Sequence, residues 1–140
     1  MLVKTILLFI GICSSIIAFV VMLFVIVIMI NNVDTSFATE VRIKYEYNDK
    51  NIALTVTDEN DIMILKDNLN GIAYSDYPSC GFSLDTSVTF ADGKKSIVLC
   101  PACDNCSVAR IGSTGKYIII KDRQALEAVL AKYGMTFPCV

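Results

Sequence analysis

The sequence contains no histidine, which removes imidazole general bases and imidazole metal ligands together. No block of Lys or Arg stands out among its 12 basic residues, and the formal net charge is −2. The electrostatic footprint of a nucleic-acid binder is therefore missing, and no nucleic-acid partner is expected. There is no P-loop, no dinucleotide fingerprint and no nucleophile elbow, and no repeat or low-complexity tract is visible. No cofactor is expected. The last absence is local: from Ile6 to Ile30 there is not one charged side chain.

That uncharged run, ILLFIGICSSIIAFVVMLFVIVIMI, decides the architecture. At ~1.5 Å per residue a helix of this length spans about 37 Å, enough to cross a hydrocarbon layer of roughly 30 Å with some tilt. Its Val and Ile content favours strand in water, but in lipid only a helix satisfies every backbone group within the segment. A cleaved signal peptide has a shorter apolar core followed by small residues at a cleavage site, and no such site follows here. A lipoprotein signal ending at Cys13 wants a small residue before the cysteine, where Ile12 stands. The expected reading is an uncleaved signal-anchor over residues 1–30, contacting the lipid bilayer through residues 6–30. Lys4 and the α-amino group precede the span, whereas Asp34 and Glu40 open its far side before Arg42 and Lys44. That asymmetry predicts a cytoplasmic N-terminus and a C-terminal domain outside the cell membrane.

After a polar stretch expected to be a linker (residues 31–39), a domain over residues 40–140 has ordinary globular composition. Glu40 to Tyr47 alternates strictly, with Val41, Ile43, Tyr45 and Tyr47 on one side, which is a half-buried strand. Residues 48–51 supply a turn, and Ile52, Leu54 and Val56 continue into a second strand. Thr57 or Asp58 can cap a helix with Ile62, Leu65 and Leu69 inward, stopped at Asn70–Gly71 with Gly71 left-handed. A strand over roughly 81–91 and a return strand over 94–100 are expected to flank a two-residue Asp92–Gly93 turn. Ala91 then faces Lys94 and Val88 faces Ile97. A hairpin over 107–120 turns at residues 112–115. Asp122 caps a final helix with Leu126, Val129, Leu130 and Tyr133 in one stripe, ended by Gly134. The expected fold is α+β: an antiparallel sheet with two helices packed on one face, preceded by one transmembrane helix.

The chemistry sits in the cysteines. Five of the six lie after the apolar run, at Cys80, Cys100, Cys103, Cys106 and Cys139, three of them in C-P-A-C-D-N-C. Structural disulfides are the plainest reading for a small exported domain. Cys80 is expected near Cys106 or Cys103, a Cys80–Cys106 bridge joins two strand ends, and Cys139 pairs with Cys100 or Cys103, with one thiol left over. A zinc site from Cys80, Cys100, Cys103 and Cys106 is an alternative, weakened by three of its ligands sharing one loop. Cys100-Pro101-Ala102-Cys103 resembles a thioredoxin-type C-P-x-C, but that motif requires a helix N-terminus directly after the first cysteine, and none is patterned here. The C-x2-C-x2-C spacing resembles a ferredoxin start without its following C-x3-C-P step. Asp85, Asp92, Asp104 and Asp122 are scattered over turns and caps and read as solvated surface.

Pro78-Ser79-Cys80-Gly81-Phe82, Asp92-Gly93-Lys94, Cys100-Pro101-Ala102-Cys103-Asp104 and the ending Lys132-Tyr133-Gly134 with Phe137-Pro138-Cys139 together resemble a loosely defined group. Its members are small uncharacterised, membrane-anchored or secreted cysteine-containing domains of clostridia-like Gram-positive bacteria. The resemblance implies an extracytoplasmic domain and brings no activity with it. The expectation is a non-enzymatic tethered domain that binds a protein or envelope partner, or has a structural role, with loops 78–82 and 100–106 as the surface. The rival is a membrane-anchored thiol–disulfide oxidoreductase using Cys100 and Cys103.

Overall fold

The chain is described from a computed structural model, which covers the backbone of residues 2–139 and the side chains of residues 12–139. The side chains of Lys4 and Ile6, on which the orientation and the start of the span were argued, lie outside that range. Two compact units divide at Asn32–Val33. The first is a single helix, α1 (Leu2–Asn31), with every apolar side chain from Ile12 to Ile30 unburied within its unit. Its Ile12–Asn31 portion is long and apolar enough to cross a membrane, with a mean hydropathy of 3.1.

The two-residue strand β1 (Asn32–Val33) straddles that division, and the second unit continues with β2 (Glu40–Tyr47), β3 (Lys50–Val56) and helix α2 (Glu59–Asn68). There follow the short strands β4 (Gly71–Ile72) and β5 (Tyr74–Ser75), then β6 (Thr86–Ala91), β7 (Ser96–Pro101), β8 (Val108–Ile111), β9 (Lys116–Ile119) and helix α3 (Arg123–Lys132). Seven strands form one sheet in the order β3-β2-β6-β7-β8-β9-β5, with every pair antiparallel.

Alternation explains which side of the sheet is buried. Val41, Ile43 and Tyr45 on β2 face Phe90, Val88 and Thr86 on β6. Val88 in turn faces Leu99, Leu99 faces Ile111, and Ala109 faces Ile118. All of these but Thr86 and the partly buried Ile111 share one core with Leu65 of α2, with Leu69 at its end, and with Leu126, Val129 and Leu130 of α3. The two helices also meet directly. Buried Asp61 of α2 accepts hydrogen bonds from Lys132 Nζ at 2.6 Å and from Tyr133 Oη at 2.9 Å. Both helices start as the sequence dictates: Asp58 accepts from the Asp61 amide and Asp122 from the Ala125 amide.

Several expectations are corrected. The β6–β7 turn holds four residues, not two, because both Lys94 and Lys95 amides donate to the Asp92 carboxylate at 2.8 Å. Ala91 therefore faces Ser96, and Val88 faces Leu99. Gly71 is not a left-handed helix stop: Leu69 caps α2 through its own amide, and Gly71 enters β4. Residues 81–85 are irregular, and strand begins only at Thr86. Within the stretch read as linker, Val33, Thr35 and Ala38 are buried. Thr35 Oγ1 donates to the Lys66 carbonyl at 3.1 Å, and Lys66 Nζ donates to the Ala38 carbonyl at 2.6 Å. Buried polar groups need such partners, and these lie about thirty residues away, out of reach of local pattern.

Candidate functional site: a cystine-held corner

Strand β7 runs out at Pro101 and β8 begins at Val108, so the cysteine loop is the connection of an antiparallel pair. The Ala102 amide closes it by donating to the Val108 carbonyl at 3.0 Å. Asn105, at its tip, takes φ of 68°, a left-handed conformation that asparagine tolerates better than most residues. Against this loop lie two other segments. The Cys103 amide donates to the Gly81 carbonyl at 2.8 Å, and the Gly81 amide donates to Asp104 Oδ2 at 3.0 Å. The Cys139 amide donates to the Cys103 carbonyl at 2.9 Å. A Cys80–Cys106 disulfide, with Cα atoms 6.2 Å apart, links the first of these segments to the loop covalently.

One residue clamps the corner from α3. The Arg123 guanidinium donates to the Ala102 carbonyl at 2.7 Å and the Cys106 carbonyl at 3.0 Å, and pairs with Glu127 at 2.6 Å. Its cation also lies 4.7 Å from the centre of the Phe137 ring in the tail. The side chain is only 9% exposed, so its donors have replaced water with protein acceptors. Sequence reasoning missed Arg123. The available signal was its position: a cation in the first turn of a helix opposes the macrodipole and calls for acceptors elsewhere.

The other thiols are placed differently. Cys100, fully buried, points its Sγ at the Gly112 carbonyl, 3.9 Å away, on the sheet face opposite Leu99. Burial pushes its pKa up, against the opposing pull of the Arg110 guanidinium. Cys103 and Cys139 are buried beside each other, with Thr86 Oγ1 3.8 Å from Cys139 Sγ. Burial, together with the hydrogen bond to the Cys103 thiol, pushes the Cys139 thiol up to about 12.

The four-thiol set Cys80, Cys100, Cys103 and Cys106 is thus not gathered around one point. Among the described residues, the potential ligands lying within 4.8 Å of one another are Cys80, Asp104 and Cys106, and the two sulfurs are bonded to each other. Asp104 Oδ1 is buried there without a hydrogen-bond partner among the described residues. Nor does a helix follow Cys100 or Cys103: the next element is β8, and α3 begins only at Arg123.

The bridge sets two exposed segments side by side. Tyr77 is 97% exposed, three residues before Cys80, and Asn105 and Ser107 flank Cys106 in the open. Behind the bridge, Phe82 stacks on Tyr117 with ring centres 5.3 Å apart, and the Arg110 guanidinium lies 5.5 Å over Phe82. Those contacts fix the base of the 76–82 segment to β8 and β9. Compared with protein-family models, curated proteins and solved structures, the chain matches none. What fold and site define is a class: an apolar N-terminal helix followed by an antiparallel α+β domain carrying a disulfide.

Proposed function

We propose that the chain is a membrane-tethered extracytoplasmic binding module, with its contact surface on the paired loops around Cys80 and Cys106. The observation that carries the reading is a half-exposed disulfide joining two loops, beside a tyrosine with almost its whole surface in solvent. Such a bridge persists where thiols are kept oxidised. A large aromatic is held in water at the cost of ordering solvent around it, and aromatic side chains dominate interfaces once buried there. Function also concentrates on loops that a rigid frame positions, and this frame has the disulfide, the Arg123 clamp and the aromatic base beneath it. The resemblance to anchored or secreted clostridial domains points the same way.

The oxidoreductase reading has less support. A redox cysteine needs a lowered pKa and an accessible sulfur, whereas Cys100 is buried and shifted upward. The test is thiol labelling of intact cells with a membrane-impermeant maleimide. After mild reductant, Cys80 and Cys106 label from outside; without reductant they do not. Labelling that requires cell lysis overturns the extracytoplasmic placement, and insulin-reductase activity lost in Cys100→Ser overturns the non-enzymatic reading.

A further inference from the structure

We propose that Cys103 and Cys139 form a second disulfide, which seals the C-terminal tail onto the cysteine loop and leaves Cys100 as the domain's one free thiol. Sequence spacing alone left Cys100 and Cys103 as equal partners for Cys139; three independent features of the corner separate them.

First, the backbones of Cys103 and Cys139 are already joined. With standard bond lengths, the path from one Cα through N, the hydrogen bond and the carbonyl to the other Cα is at most about 6.8 Å, for the 2.9 Å bond found here. Disulfides accept Cα separations of roughly 4.4–6.8 Å. Second, both thiols are buried in the same core cluster, and the Cys103 thiol is near enough to the Cys139 thiol to help push its pKa up. Third, Cys100 is directed elsewhere. Its thiol meets the Gly112 carbonyl, and strand alternation puts it on the sheet face opposite Leu99 and Pro101.

The tail is held in this position by contacts that owe nothing to sulfur. Tyr45 Oη donates to the Thr136 carbonyl at 3.0 Å, Lys50 Nζ donates to the Gly134 carbonyl at 3.1 Å, and Phe137 lies under the Arg123 guanidinium. Closing the bond therefore requires no rearrangement of the tail. Two S–H bonds break and one S–S bond forms. The two electrons and two protons pass to a disulfide oxidant, either glutathione disulfide or a protein disulfide, which leaves as two thiols.

The experiment uses the full chain in detergent. The protein is reduced in denaturant, refolded by dilution into a glutathione redox buffer, denatured again without reductant, alkylated and weighed intact. Of the six cysteines, two bridges leave Cys13 and Cys100, so two alkyl groups are expected; one bridge leaves four. Cleavage before Asp104 separates Cys106 from the fragment that carries Cys100 and Cys103, and the single Cys→Ser variants assign which of those two joins Cys139. Cys103→Ser is expected to free Cys139 for alkylation with Cys80–Cys106 intact, and Cys100→Ser to change nothing but the count at residue 100. A Cys139 that is alkylated in wild type, or linked to Cys100, overturns the pairing. The proposal leans on the extracytoplasmic reading only for its occurrence in the cell. Protein acid-trapped from cells with both pairs reduced, yet forming both bridges on refolding, rejects that placement and leaves the pairing intact.

Discussion

Replacing both Cys80 and Cys106 by alanine tests how much the corner depends on its covalent link. The bridge closes a loop with a sequence separation of 26. On the chain-entropy account this removes about 12 cal/mol/K from the unfolded ensemble, worth about 3.5 kcal/mol at 25 °C. Domains of this size are stable by roughly 5–15 kcal/mol in total, so the double variant folds but sits much nearer its threshold. Both cysteines are half-exposed, so little packing is lost in addition, and Cys80→Ser/Cys106→Ser should match the alanine pair. For a domain of about 105 residues, each kcal/mol moves Tm by about 4 °C or more, giving a fall of roughly 15 °C. Urea unfolding of the full chain in detergent is the assay, read by tyrosine fluorescence because the chain has six tyrosines and no tryptophan. At m near ~2 kcal/mol/M the midpoint should fall by a little under about 2 M. A loss below about 1 kcal/mol refutes the reasoning, because it shows that the unfolded chain gains little freedom when the link is removed.

Two further substitutions probe the non-covalent frame. Arg123→Met keeps much of the apolar stem but removes the donors to Ala102 and Cys106; with the buried Ala102 carbonyl left unpaired, the domain should lose about 1–3 kcal/mol, and in reduced protein Cys139 should alkylate faster. Asp61 is held below its ordinary carboxylate value of 3.8 by the Lys132 ammonium and by the Tyr133 hydroxyl. The unfolded chain therefore takes up a proton at Asp61 before the folded one does. Its contribution is whole above about pH 4 and is lost as pH falls through the lower folded value. Urea midpoints measured from pH 6 to pH 2 should converge for wild type and Asp61→Asn at the acid end, and parallel curves would show that Asp61 is not responsible.

The elements legible in the sequence were those whose physics is local. Strand β2 reads correctly from Glu40 to Tyr47 because one face is buried and the other wet, so period two is visible in the letters. Helix α3 reads correctly because Asp122 and the 126–129–130 stripe are short-range signals. The Asp92–Gly93 dipeptide misled for a specific reason: it marks a turn, but whether aspartate opens a two-residue or a four-residue loop depends on which amides its carboxylate captures. Val33, Thr35 and Ala38 were hidden because the stretch 31–39 shows neither a strand nor a helix period, and the hydrogen-bond partner of both Thr35 and Ala38 is Lys66 on α2. Arg123 was hidden because its acceptors, the carbonyls of Ala102 and Cys106, come from a different hairpin.

The free thiols of the same corner, Cys100, Cys103 and Cys139, are all buried. A reactive thiol needs a cation or a helix N-terminus aimed at its sulfur, and some exposure. Arg123 is a cation in the corner, but its guanidinium donates to two backbone carbonyls and a carboxylate. What reaches Cys139 is a weak lowering that burial outweighs. Asp122 caps α3 with its carboxylate, and that helix begins at Arg123, so no helix follows directly on Cys100, Cys103 or Cys106. Arg123, Asp122 and Asp104 Oδ2 thus fix backbone, the Arg110 guanidinium acts on Cys100 without outweighing its burial, and Tyr77 stands almost wholly in water. An arrangement that shields its free thiols while presenting an aromatic ring near a disulfide-linked loop is the one the proposed binding module requires.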